Sequence, residues 1–352
     1  MIASVRPLSK RGRGLNDDGN AEYLQEVNDV RGEKPKEHGT EVYHELDGYF
    51  VCTGFADDCI REALRYKPRS DDLFIVSYPK CGTTWMQHIV YNILSGRPPP
   101  RDLMEQSVVM PFLELQGADC AHAMPRPGAI KTHMPFHLHP YSPEAKYIYI
   151  TRNPYDCCVS FYYHTKSVPE YHFEHGNFDQ FLEMFLEGRV DFGDYFEHLL
   201  SWYGHRYDAN VLFLTYEDLK QNTAFWILTI ADFIDKNYAA KLKLHDGLLG
   251  GLLNNTSVEY MKETLNEENR KMKQTMNSIP EERKPRWIKM IQETVDGETM
   301  EKPIDGDFVR KGIVGDWKNH FTPPQVARMK QRIALKTAGS DVMNLWKNMD
   351  LP

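Results

Sequence analysis

No apolar run in this 352-residue chain approaches the length of a membrane span. Its opening stretch, MIASVRPLSKRGRGLNDDGN, lacks the apolar core that a signal peptide needs. Cysteine is sparse and unpatterned: the residues at 52, 59, 81, 120, 157 and 158 show neither paired metal-ligand spacing nor a disulfide framework. Free thiols in a reducing compartment are the simplest reading, which predicts a cytoplasmic protein without a membrane partner. Net positive charge is also missing. A formal charge of −8 argues against a broad nucleic-acid footprint, though it leaves room for a small anion in a locally basic cleft. No internal repeat is present, and the usual phosphate loop, GxxxxGK[ST], is absent.

What is present is an ordinary globular mix, 41% hydrophobic and 26% charged, able to fill a sizeable core. Residues 1–40, rich in Gly, Asn, Asp, Lys and Glu without periodicity, read as a flexible N-terminal extension; residues 41–352 read as one domain. Four β-prone runs suit buried parallel strands: LFIVSY (73–78), AIKTH (129–133), YIYIT (147–151) and VLFLTY (211–216). Helical patterns lie between them, at 84–95, 154–166, 178–188 and 193–206. The alternation predicts an α/β fold, a mainly parallel central sheet flanked by helices. Residues 262–307, highly charged and broken by Pro280, Pro285 and Pro303, read as one or two surface helices or a lid.

The seam after the first of those strands, SYPKCGTTW (77–85), carries the first chemical signal. A helix beginning at a strand's carboxyl end aims unpaired N–H groups and a partial positive charge at the crevice. Gly82 allows close backbone approach, Lys80 adds a charge, and Thr83 and Thr84 add donors, a set that suits a phosphate. YIYITRNPYDCCVSFYYH (147–164) repeats the logic, with Arg152 at a strand end, Pro154 as a first helical residue and Ser160 further on. RKGIVGDWKNHF (310–321) adds Arg310 and Lys311 beside Gly312. Basic sites of this kind on separate segments suggest a nucleoside with phosphates at both ends.

With YPKCGTTW (78–85), KTHMPF (131–136), TRNPYDCCVSFYYH (151–164) and RKGIVGDWKNHFT (310–322) in that order, the sequence resembles the cytosolic sulfotransferases across roughly residues 45–335. The resemblance implies a nucleotide-kinase-like α/β domain that moves a sulfuryl group from 3′-phosphoadenosine 5′-phosphosulfate (PAPS) to a hydroxyl or amine. The product is adenosine 3′,5′-bisphosphate (PAP), and no metal is needed. By that resemblance Lys80, Cys81, Gly82, Thr83 and Thr84 hold the 5′-phosphosulfate and Trp85 stacks on the adenine. Arg152 and Ser160, with Arg310, Lys311 and Gly312, hold the 3′-phosphate, while Tyr216, Thr256 and Ser257 contact the adenosine. Lys131 and His133 match the family's catalytic pair. His133 then serves as general base, Lys80 relieves charge on the departing phosphate, and Lys131 assists.

Departures from the family pattern are local. Cys81 replaces a usual serine, and Val258 stands where an aromatic often meets the adenine. KNHFTPPQVA (318–327) has Pro323 and Ala327 in defined places of the family's dimer segment, so dimerisation through it is not expected. THMPFHLHP also admits a metal reading through His133, His137 and His139, although Pro135 and Pro140 deny it a regular helix. Acceptor residues are read as aromatic walls, with Phe112 and Phe136 chosen, for a phenol, catecholamine or other small alcohol. A nucleotide phosphotransferase and a non-catalytic nucleotide-binding protein are the alternatives.

Overall fold

Burial on both faces of short β-branched and aromatic runs organises the molecule. In this computed structural model residues 42–352 are described, and the expected extension over 1–40 lies outside them. A hairpin opens the described chain: β1 (Tyr43–Leu46) and β2 (Tyr49–Cys52) pair antiparallel across Asp47 and Gly48, both at positive φ. β3 (Leu73–Val76), β4 (Ile130–Thr132), β5 (Lys146–Thr151) and β6 (Val211–Thr215) then form a parallel sheet in the order β4-β3-β5-β6.

Successive side chains of a strand face opposite ways, and here both directions are apolar. Phe74, Val76, Tyr147 and Tyr149 enter one core with Trp202 and Phe161. Leu73, Ile75, Ile148 and Ile150 enter a second with Met86, Ile89 and Val90. Such strands read as continuous hydrophobic runs and need helices on both faces.

Among those helices, α1 (Thr83–Ser95) follows β3, α2 (Leu113–Gln116) precedes β4, and α3 (Pro154–Ser167) follows β5. α3 starts where Asn153 caps the amide of Asp156 and Pro154 takes the first turn. The helix expected over 193–206 is shorter, α4 (Tyr195–Tyr203), because the Asp194 carboxylate caps Phe196 and Glu197. α5 (Tyr216–Gln221) leaves the end of β6.

The charged stretch is helical, as one alternative of its sequence reading has it, but with three helices. It folds as α6 (Val258–Ser278), α7 (Arg286–Thr294) and α8 (Gly297–Glu301), whose outer faces carry the charge. Their inner faces bury Met276, Trp287, Ile288, Ile291 and Met300 against Ala56 and Cys59. The segment is a wall with its own core. Last comes α9 (Pro323–Lys336), where Pro323 and Pro324 occupy the first turn behind a Thr322–Gln325 capping box.

Candidate active site

The carboxyl ends of β3, β4 and β5 lie side by side, and their loops build one cleft, as expected of an open parallel sheet. After β3 the chain turns sharply: Lys80 has φ 67° and Gly82 φ 108°. A Cβ at Gly82 would lie 2.9 Å from Tyr216 Cδ2 and 3.1 Å from Ile150 Cδ1, so no side chain fits. Ser77 and Thr83 hydroxyls meet at 2.5 Å and close the turn. Lys80 Nζ sits 4.7 Å from the Phe308 ring centre. Burial, then the neighbouring Lys131 and Arg152, lower its pKa to about 7.

β4 delivers Lys131 and His133 to the same cleft, as residues two apart on an extended segment should be. The Lys131 amide donates to Pro111 O at 2.8 Å, and its Nζ lies 3.9 Å from the Phe112 ring centre. Burial lowers its pKa to about 8, with Glu114 opposing. His133 is held on three sides. Its amide donates to Glu114 Oε1 at 2.5 Å, and its carbonyl accepts from His198 Nε2 at 3.0 Å. Its Nδ1 lies 2.6 Å from the Ser77 carbonyl oxygen. A carbonyl only accepts, so Nδ1 carries the proton and Nε2 keeps its lone pair. Burial, then Lys131, hold the His133 pKa well below its usual value. The neutral ring lies 5.2 Å from Phe112 and 4.9 Å from Phe192, with Nε2 as its acceptor atom.

Glu114 anchors this arrangement from behind. Fully buried, it accepts from Tyr49, Thr132 and the His133 amide through Oε1, and burial raises its pKa to about 7.

At the far end of the cleft, the Arg152 guanidinium lies 4.5 Å from the Tyr216 ring centre and donates to Ile313 O at 2.8 Å. Its Nε is buried without a partner. Ser160 lines the cleft from α3. Arg310 and Lys311 each reach Asp316 at 2.7 Å. Gly312, at φ 65°, packs so closely that a Cβ would fall 2.5 Å from Val258 Cγ2. Trp85 meets Tyr216 edge-on at 5.3 Å, and its Nε1 is buried without a partner. Thr256 and Tyr216 complete this end of a cleft of about 210 Å³. A cleft this rich in cations and glycine backbone fits a doubly phosphorylated nucleoside.

A second cavity of about 340 Å³ adjoins the first, with Thr84, Phe112, Lys131, His164 and Phe308 lining both. Its walls are largely apolar: Met104 and Met110 on one side, and Leu265, Met276, Trp287 and Ile291 of the α6–α7 wall. An apolar organic molecule entering here would meet the first cleft beside Lys131.

Some sequence-chosen residues sit elsewhere. Phe136 lines neither cavity; the Pro135 turn carries it away, and its ring stacks on His205 at 3.4 Å and meets Trp202 edge-on. Cys81 is wholly buried with its thiol 3.6 Å from Cys157 Sγ, so its side chain has no access to the cleft. Ser257 caps α6 by accepting from the Tyr260 amide, and is not a cleft-lining residue. His139 packs against Phe74 and Trp202, away from His133. Among the described residues no cluster of His, Cys, Asp and Glu is arranged to hold a metal ion. Phe55, Phe308, Tyr171 and His164 line the cleft without having been chosen from sequence. Only His164, inside the quoted 151–164 motif, carried any local signal.

A family model described as the sulfotransferase domain matches residues 70–341. The chain belongs to the sulfotransferase family. It is a sulfotransferase enzyme, similar to mouse sulfotransferase 1 family member D1 at 32% identity over 78% of this chain and 86% of that one. Human sulfotransferase 1E1 is 33% identical over 73% of this chain and 80% of its own length. The crystal structure of mouse sulfotransferase SULT7A1 complexed with PAP superposes with a TM-score of 0.65 at 26% identity, covering 88% of this chain and 98% of that one. Retinol dehydratase in complex with retinol and PAP shares the fold, with a TM-score of 0.62 at 24% identity over 85% of this chain and 91% of that one. Among the described residues of this sulfotransferase, no helix is long and apolar enough to cross a membrane.

Proposed function

We propose that this sulfotransferase takes its sulfuryl group from PAPS and passes it to a hydroxyl or amine of a small, largely apolar, aromatic acceptor. PAPS supplies the activated sulfuryl group; the chain supplies grip, orientation and a base. Lys80, Gly82, Thr83 and Thr84 bind its 5′ end, and Arg152, Ser160, Arg310 and Lys311 its 3′-phosphate. His133 Nε2 accepts the proton of the acceptor oxygen as that oxygen bonds to sulfur. Lys80 neutralises the phosphate oxygen that receives the electron pair of the broken S–O bond, and Lys131 adds charge at the same place. The six free thiols support a reducing, cytoplasmic setting.

One observation carries this reading. The Ser77 carbonyl fixes His133 in the base tautomer, inside a cleft that also holds Lys80, Lys131 and Arg152. The solved sulfotransferase with PAP, similar in fold and sequence, supports the choice of donor. The test is labelled-sulfate transfer from PAPS over a panel of phenols, steroids and amines, with PAP binding measured by calorimetry. His133→Ala should lower turnover by about 10²–10⁴-fold while PAP affinity is kept. A His133→Ala protein that turns over like the wild type overturns the assignment.

A further inference from the structure

Two cavities meet in this protein, and two of the polar groups at their junction lie against protein neighbours. The Tyr171 hydroxyl donates to Asp191 Oδ2 at 2.6 Å, and Lys131 Nζ lies over the Phe112 ring. His164 differs. It lines both the nucleotide cleft and the apolar cavity. Neither ring nitrogen makes a hydrogen bond within the described protein, and neither is sealed from the cavity in the way that both ring nitrogens of His88 are. Its place is fixed by the helix instead: it sits in α3, one turn beyond Ser160, with the Phe161 ring at 6.2 Å and the Tyr171 ring at 6.0 Å.

The charges around it set its form. Burial, then Lys80 and Lys131, hold the His164 pKa well below its ordinary value. A neutral imidazole has one N–H to give and one lone pair to receive. Left without protein partners in a partly buried site, both are available to whatever fills the two cavities. His133 cannot play this part with its Nδ1, which the Ser77 carbonyl already occupies.

We propose that His164 is a second catalytic imidazole, whose N–H donates a hydrogen bond to a sulfuryl oxygen during transfer to the acceptor. No bond to His164 forms or breaks and no proton leaves it. It adds to the stabilisation by Lys80 and Lys131 of the oxygens on which charge is redistributed. The assignment rests on the sulfuryl-transfer reading above.

The experiment compares wild type, His164→Phe and His164→Asn. PAP affinity is read by calorimetry, and kcat and KM by labelled-sulfate transfer from PAPS to the best acceptor of the panel. His164→Phe keeps an aromatic of similar width and loses the donor. It should lower kcat by about 10²-fold, with the PAP dissociation constant and acceptor KM within about threefold. His164→Asn, which retains a donor, should recover part of that loss. An active wild type with His164→Phe unchanged in kcat overturns this assignment alone, as does equal loss of PAP binding in both variants, which would mark a structural role. A wild type that binds PAP but transfers no sulfate from PAPS to any acceptor overturns the reading beneath it as well.

Discussion

At the scale of single residues, the cleft is a place where lysines are kept from being fully charged. Lys80 is lowered to about 7 and Lys131 to about 8, each mainly by burial, with Lys131 and Arg152 adding repulsion at Lys80. In the free protein both therefore lose protons as pH rises through about 7 to 8. A bound phosphate favours the charged forms and raises both pKa values. Binding must then take up protons over this range, and PAP affinity falls as pH rises. Each fully coupled lysine weakens binding by up to about tenfold per pH unit above its free pKa. Calorimetry at several pH values, in buffers of differing ionisation enthalpy, reads this directly. Lys80→Arg, charged at every pH used, should flatten much of the slope. A dissociation constant constant between pH about 6.5 and 9 in the wild type would show that these lysines do not grip the phosphates.

Elements explain what was legible in the sequence and what was not. β3, β5 and β6 announced themselves because both faces are buried, which leaves uninterrupted apolar runs such as LFIV and YIYIT. Lys80, His133 and Arg152 were legible because each follows a strand, and Lys131 because it lies within β4, where local order dictates position. Phe55 and Phe308 were not, since only tertiary packing brings the loop before residue 57 and the loop after α8 to the cleft. Phe136 misled because three residues past His133 the chain has already turned at Pro135. The 262–307 stretch was legible as helix, but its outward charge hid an inward apolar face.

That wall has a specific tie to the rest of the fold. Lys273, on α6, donates to Glu170 Oε1 at 2.9 Å and to Thr299 O at 2.7 Å. Its side chain is 5% exposed and that of Glu170 18%, at the edge of the apolar cavity. Removing one partner of such a pair strands the other charge. Lys273→Met should therefore destabilise the protein by about 3 kcal/mol in urea unfolding and raise the acceptor KM. Adding Glu170→Leu should recover most of the stability. A single variant as stable as the wild type would show that the pair does not hold the wall.

On the scale of the whole molecule, the chain carries a formal charge of −8 yet concentrates Lys80, Lys131, Arg152 and Arg310 in one cleft. These cations come from segments more than two hundred residues apart in sequence, and nothing but the fold brings them together. In the free state they repel: Lys131, Arg152 and Arg310 each lower the Lys80 pKa. Part of the opposing charge is internal, since Asp316 holds both Arg310 and Lys311. A ligand with a phosphate at each end would relieve the rest and tie the β3, β4 and β5 loops to the 310–312 loop. Binding to the folded state alone then stabilises the entire described unit. At a PAP concentration of a hundred times its dissociation constant, the gain is about 2.7 kcal/mol. For a domain of this size that corresponds to a rise in Tm of about 4 °C by calorimetry or fluorescence. Adenosine, which lacks both phosphates, should leave Tm nearly unchanged at the same concentration. Equal shifts from adenosine and PAP would mean that the base, and not the phosphates, is what the cleft holds.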